Sequence, residues 1–132
     1  MNSTRKDSTT LKPTVLVVED NAQFRQLVTD FLAYSGYGII SAFSATEALA
    51  ILQQAETIPD LIIADIIMEH MDGCEFLYTV RKNWEHVPFI MMSTSSTFEA
   101  SCPGMTLKPE AYIVKPFSYA ELLRVIESIL MR

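Results

Sequence analysis

The chain has 132 residues, of which 49% are hydrophobic, and it carries a formal net charge of -6. This length suits a single domain with a sizeable core. The high hydrophobic content excludes intrinsic disorder for most of the chain. The negative charge argues against nonspecific nucleic-acid binding, because phosphate contacts require clustered Lys and Arg. No apolar run reaches the length of a membrane span, and the polar N-terminus is unlike a signal peptide.

The two cysteines, Cys74 and Cys102, are distant in the sequence and lack the spacing of metal ligands. Such a pair, in a chain that shows no secretion signal, predicts reduced thiols. We therefore expect a cytoplasmic protein in which these cysteines are not joined.

Strand and helix patterns alternate after a polar segment, residues 1–12, that predicts a flexible tail. Buried strands are predicted at 14–18, 37–42, 88–93 and 111–114, and in the aliphatic run that ends at Asp65. Sequences typical of helix starts begin at Ser44, Asp72 and Ser118. The alternation predicts an α/β fold over residues 13–132, a doubly wound parallel sheet with helices on both faces.

Polar side chains follow four of the five predicted strands. They are Glu19 and Asp20, then Asp65, then Ser93 and Thr94, then Lys115. The carboxyl ends of parallel strands share one edge of the sheet, where ligands bind. Three carboxylates together need a cation, and oxygen ligands suit Mg²⁺. A lysine and a hydroxyl beside that ion suit a phosphoryl group, and an aspartate can attack phosphorus to form an acyl phosphate.

This set of residues resembles the response-regulator receiver domain, and in particular the single-domain chemotaxis regulators. The motifs that carry the resemblance are Glu19-Asp20, Asp65 with Met68 and Asp72-Gly73, Ser93, and Tyr112 with Lys115-Pro116-Phe117. It covers essentially all of the expected domain and implies a flavodoxin-like sheet with the strand order 2-1-3-4-5.

For the metal site, the resemblance implies direct Mg²⁺ ligands from Asp20, Asp65 and the backbone carbonyl of Ile67. Glu19 would act on the ion largely through water. Asp65 would accept a phosphoryl group from the phosphohistidine of a histidine kinase or phosphotransfer protein, in a two-component system.

For the switch, the resemblance implies that Ser93 bonds the acyl phosphate and that Lys115 pairs with it. Tyr112 matches the aromatic residue whose rotamer follows that hydroxyl. The surface formed by the fourth helix, fifth strand and fifth helix would then change, and it would contact a downstream effector or a second copy of the chain. Labelling by small phosphodonors and autodephosphorylation are also expected.

Three positions depart from the family pattern. Glu69 replaces a proline, Thr94 replaces a small residue, and 108–111 replaces a Gly-Ala turn. None of these changes removes a group that phosphoryl transfer needs, so we expect them to affect rates and the shape of the output surface.

Three other classes of protein compete with this interpretation. A dinucleotide-binding domain needs a glycine-rich turn where Glu19-Asp20-Asn21-Ala22 stands. A phosphatase of the haloacid dehalogenase type needs an acid at Ile67. The third alternative, a receiver-like protein-interaction module that works without phosphate, stays open.

The fourth helix is predicted to be short, broken or displaced. Its segment, 96–106, contains Pro103 and Gly104, which cost about 3 and about 1 kcal/mol inside a helix. Tyr119, Leu123 and Leu130 flank the apolar stripe of the last helix and should be partly exposed, as suits a partner surface.

Overall fold

The computed structural model describes residues 12–54, 56 and 58–131. Apart from Lys12, the predicted tail therefore lies outside the described residues. Five parallel strands form one sheet in the order β2-β1-β3-β4-β5. They are β1 (Thr14–Val18), β2 (Gly38–Ala42), β3 (Leu61–Asp65), β4 (Phe89–Ser93) and β5 (Ala111–Val114). This order and the parallel pairing confirm the predicted flavodoxin-like sheet.

In the part of the chain that the structure describes, four helices connect the strands, and a fifth follows β5. They are α1 (Ala22–Tyr34), α2 (Ala45–Gln54), α3 (Gly73–Asn83), α4 (Phe98–Ser101) and α5 (Tyr119–Leu130). The three helix starts read from the sequence are confirmed, because Ser44, Asp72 and Ser118 each accept the backbone N–H three residues onward. These bonds satisfy N–H groups that have no partner inside the helix.

The core has two layers, one on each face of the sheet. Alternate residues of a strand point to opposite faces, so Leu16 and Ile62 pack under α2 and α3, whereas Val15 and Ile63 pack under α1 and α5. Every residue of β3 and β4 is buried. Burial on both faces is typical of a central parallel strand and holds the strand ends in fixed positions.

Helix α4 has only four residues, which confirms the prediction of a short helix. It ends before Pro103, and Gly104 then takes a left-handed conformation with φ of +75°. On α5, Tyr119 is 39% exposed, and Leu123 and Leu130 are partly buried, as predicted.

The expectation of separate, reduced cysteines is wrong. Cys74 and Cys102 form a disulfide, with Cα atoms 5.7 Å apart across a sequence separation of 28. Separation along the chain did not reveal that α3 begins beside the end of α4. Among the described residues, no helix combines the length and apolar character needed to cross a membrane.

Candidate functional site

An acidic cluster lies at the carboxyl edge of the sheet. Glu19 follows β1 and Asp65 ends β3, and these strands pair in register, with Val18 opposite Ala64. One carboxylate oxygen from each of Glu19, Asp20 and Asp65 lies within 4.8 Å of the others. Glu19 and Asp65 are buried, whereas Asp20 is exposed.

Lys115 joins this cluster from the end of β5. Its Nζ atom lies 3.2 Å from Glu19 Oε1 and 3.2 Å from Asp65 Oδ2. The backbone N–H of Lys115 donates to the carbonyl of Ser93, and its ammonium lies 4.4 Å from the centre of the Phe24 ring. We call Glu19, Asp20, Asp65 and Lys115 the acidic half of the site. One ammonium does not balance three carboxylates, so this half has a surplus of negative charge.

In Glu19 and Asp65, the carboxylate oxygen that does not contact Lys115 accepts a backbone N–H. Asp65 Oδ1 accepts the N–H of Ile66 at 2.9 Å, and Glu19 Oε2 accepts the N–H of Asn21 at 3.0 Å. Burial raises the pKa of both carboxyls above their ordinary values, and Lys115 and these N–H groups only partly oppose that rise. The charged cluster is therefore under-compensated, and an added cation would stabilise it.

Gly73 fits closely against the end of β3 because it has no side chain. A Cβ atom there would lie 2.6 Å from the carbonyl oxygen of Asp65 and 2.7 Å from the Cα atom of Ile66. The Gly73 N–H also donates to the Ile66 carbonyl at 2.7 Å. The Asp72-Gly73 motif thus caps α3 with its first residue and lets the helix approach the end of β3 with its second.

Hydroxyl groups form the other half of the site, which we call the hydroxyl half: Ser93, Ser101 and Tyr112. Ser93 ends β4 and is buried, and its Oγ lies 3.0 Å from Ser101 Oγ. Ser101 Oγ lies 2.8 Å from Tyr112 Oη. Tyr112 Oη in turn donates to the carbonyl of Ser95, whose own N–H donates to Ser93 Oγ.

The directions of these hydrogen bonds follow from counting protons. Tyr112 has one hydroxyl proton and donates it to Ser95, so Ser101 must donate to Tyr112. Ser101 then has no proton left for Ser93, so Ser93 must donate to Ser101. Ser95 closes this chain of hydrogen bonds, and Ser93 already donates its only hydroxyl proton to Ser101.

Ser101 was missed by sequence reasoning. It lies at the end of a four-residue helix, where neither spacing nor periodicity marks it. The predicted switch pair, Ser93 and Tyr112, is connected through this third hydroxyl and through the backbone of Ser95. Ser93 and Ser101 line a cavity of about 310 Å³ together with Ile66 and Ile67.

The three departures from the family pattern have visible structural settings. Glu69 and Asp20 line the same surface cavity, so Glu69 adds an anion near the acidic half. Thr94 is exposed. In the 108–111 turn, Glu110 Oε1 accepts the N–H of Phe89 at 2.7 Å and pairs with Arg81 at 2.6 Å. A hydrogen-bonded ion pair therefore stabilises the turn.

The sheet order and the helices on both faces define a flavodoxin-like α/β protein with an acidic carboxyl edge. Residues 15–127 match the family described as "Response regulator receiver domain". The chain belongs to this family, and it is a receiver domain of the kind found in two-component response regulators.

Named relatives and solved structures agree with this assignment. The chain is 36% identical over 121 residues to "Probable transcriptional regulator ycf27" of Porphyridium aerugineum, covering 92% of this chain and 49% of the relative. It is 32% identical over 126 residues to "Transcriptional regulatory protein PrrA" of Mycobacterium leprae, covering 96% and 53%. The chain thus spans about half the length of these relatives. The chemotaxis response regulator CheY4 of Vibrio cholerae superposes with a TM-score of 0.82 at 33% identity, covering 91% of this chain and all of CheY4.

Proposed function

We propose that Asp65 is the phosphoacceptor of this receiver domain and takes a phosphoryl group from a phosphohistidine of a histidine kinase or phosphotransfer protein. One observation carries the proposal. Asp65 is a buried strand-end carboxylate whose two oxygens are oriented separately, Oδ1 by the Ile66 N–H and Oδ2 by the Lys115 ammonium. A held carboxylate beside a cation is suited to in-line attack on phosphorus.

The residues of the acidic half fit Mg²⁺. All the available donors are oxygens, and three carboxylates come within reach of one ion. Asp20, Asp65 and the Ile67 carbonyl would hold it directly. Glu19 would act through water, as the family resemblance implies, while its two oxygens stay held by Lys115 and the Asn21 N–H. Bound there, Mg²⁺ would neutralise charge on the phosphoryl oxygens.

The protein groups then act in a defined order. An oxygen of Asp65 forms a bond to phosphorus as the bond from phosphorus to the donor imidazole breaks, and the imidazole keeps its bonding electrons. Lys115 moves its contact from the Asp65 carboxylate to the phosphoryl group. Ser93 turns its hydroxyl to a phosphoryl oxygen, which requires it to leave Ser101. The hydrogen bonds of Tyr112 change as a result.

The signal leaves through the surface of α4, β5 and α5. Val114, at the end of β5, is 38% exposed, and Tyr119, at the start of α5, is 39% exposed. Exposed apolar groups on a segment that changes shape suit an effector or a second copy of the chain. We place the protein in the cytoplasm, where a kinase domain would supply the phosphoryl group.

The test is labelling by acetyl phosphate, with Mg²⁺ or with EDTA. We expect one aspartyl phosphate in wild type with Mg²⁺ and none in Asp65→Asn. Asp60→Asn is the matched control, since Asp60 lies at the opposite end of the same strand and binds the Thr14 N–H. Wild-type labelling of Asp65→Asn would refute the assignment. No labelling of wild type would instead favour the phosphate-independent interaction module.

A further inference from the structure

The disulfide joins the two helices that flank the hydroxyl half. Cys74 lies in the first turn of α3, directly after the Gly73 that packs on Asp65. Cys102 caps the C-terminus of α4 and is 3% exposed. In the cytoplasm proposed above, persistent structural disulfides are rare, and those that form are mostly transient or redox-sensing.

Ser101 couples the disulfide to the hydroxyl half. It precedes Cys102 in the chain, and its carbonyl oxygen lies 3.3 Å from Cys74 Sγ. Its hydroxyl receives the proton of Ser93 and donates to Tyr112. Ser101, which accepts the Ser93 proton, is therefore covalently bonded to Cys102 and in contact with Cys74.

Apart from the disulfide, the end of α4 is held by non-covalent contacts only: the buried Cys102 side chain, the Ser101–Tyr112 hydrogen bond and a few backbone hydrogen bonds. A four-residue helix has few internal hydrogen bonds, here from Ser101 to Thr97 at 3.3 Å and from Cys102 to Phe98 at 2.8 Å. Phe98 is buried and anchors the first residue of the helix. Opening the disulfide would leave the end that carries Ser101 with no covalent link to α3.

We propose that the Cys74–Cys102 disulfide is a thiol-exchange site for a dithiol reductant, and that its reduction releases Ser101 from Ser93. The oxidised form keeps the Ser93 proton within the hydroxyl chain, and the reduced form frees it for a phosphoryl oxygen. Thiol state thereby sets how readily Asp65 is phosphorylated. This inference rests on the proposed function of Asp65.

The exchange is a balanced two-electron reduction. A thiolate of the reductant attacks Cys74 Sγ, which is half-buried and lines a cavity of about 320 Å³ with Met71, Tyr78 and Met105. A mixed disulfide forms, and Cys102 leaves as a thiolate and takes a proton. The second thiol of the reductant then displaces Cys74, so the reductant leaves as a disulfide and both cysteines become thiols.

The experiment compares air-oxidised and dithiothreitol-reduced protein in two assays: the rate of labelling by acetyl phosphate, and amide NMR shifts recorded without any phosphodonor. We expect reduction to raise the labelling rate about five-fold, the worth of one neutral hydrogen bond. The Ser93, Ser101 and Tyr112 signals should shift together. Cys74→Ser/Cys102→Ser should match the reduced rate under both conditions.

Ser101→Ala distinguishes the effect of the Ser101 hydroxyl on the labelling rate from the effect of a general loosening of the fold. It should label at the faster rate even when oxidised, and reductant should add little. Equal labelling rates in oxidised and reduced wild type would overturn the inference and leave the function of Asp65 intact. The inference would also be overturned if an alkylating agent modifies both cysteines of the air-oxidised protein before reductant is added. If neither form is labelled, the proposed function fails, and the NMR shifts alone decide whether thiol state moves Ser101.

Discussion

The acidic half and the hydroxyl half meet at one edge of the sheet but are held in place by different means. In the acidic half, direct charge contacts of 3.2 Å connect residues that sit at or next to the ends of buried strands. In the hydroxyl half, neutral hydrogen bonds connect Ser93 and Tyr112 through Ser101, on a helix of four residues. The first half is a fixed charge array, and the second is a proton-ordered chain that can rearrange.

Under the proposed function, this difference suits the two halves to separate tasks. Charged, buried groups lose much energy if they separate, so the acidic half is suited to holding a metal and a phosphoryl group in place. Neutral hydroxyls exchange partners at small cost, so the hydroxyl half is suited to reporting whether phosphate is present. Five sets of variants and conditions test this division.

The largest effect is expected for Lys115→Met. The variant leaves two carboxylates, whose side chains are 2% and 11% exposed, without their shared cation, which we expect to cost about 3 kcal/mol of unfolding free energy in EDTA. Lys108→Met is the matched control, because its partner Glu99 is exposed and solvent screens that pair, so a much smaller loss is expected. Urea unfolding followed by Trp84 fluorescence measures both. Similar losses in the two variants would mean that the acidic half is not an integrated charge array.

Gly73→Ala should have the next largest effect. The new Cβ would meet the backbone at 2.6 Å, so β3 or α3 must shift, at a cost of about 2 kcal/mol. Gly36→Ala tests glycine loss without crowding, since no atom lies within 4 Å there and only its φ of +100° is unfavourable. We expect about 1 kcal/mol for that control. Because Gly73 supports Asp65, Gly73→Ala should also slow labelling by acetyl phosphate, whereas Gly36→Ala should not.

The two halves also differ in how far sequence predicts them. Glu19, Asp65 and Lys115 could be placed because each lies at a strand end, and in-register parallel strands bring their ends together. Ser101 and the Cys74–Cys102 bond could not, because both depend on where α4 stops and how it lies against α3. Pro103 indicated that the helix would be short, but a helix terminus alone does not specify its tertiary contacts.

A smaller effect is expected from pH in the absence of metal. The folded state raises the pKa of Glu19 and Asp65 above 4.5 and 3.8, their ordinary values. Folded protein then binds protons more tightly than unfolded protein, so stability should fall as pH rises from these ordinary values through the raised ones. Melting temperatures from pH 4 upward in EDTA should show the decline. Asp65→Asn should reduce its slope, and Mg²⁺ should oppose it in wild type.

The same series tests the metal ligands. Asp20→Ala should abolish most of the Mg²⁺-induced rise in melting temperature, because Asp20 is exposed and is proposed to contact the ion directly. Glu19→Ala should reduce that rise less, since Glu19 is already paired with Lys115. An equal response to Mg²⁺ in wild type and Asp20→Ala would contradict the proposed ligand set.

The smallest effect is expected within the hydroxyl chain. Ser101→Ala removes one acceptor and one donor between neutral groups, which should cost about 1 kcal/mol. Tyr112→Phe removes the next hydroxyl, so a double-mutant cycle isolates the Ser101–Tyr112 bond. We expect a coupling free energy of roughly 0.5–1 kcal/mol in oxidised protein and less after reduction. A smaller coupling after reduction would show that the Ser101–Tyr112 hydrogen bond depends on the disulfide. Its small size would show that the two hydroxyls can exchange partners. A coupling that is the same in both thiol states would mean that the hydroxyl half keeps its geometry without the disulfide.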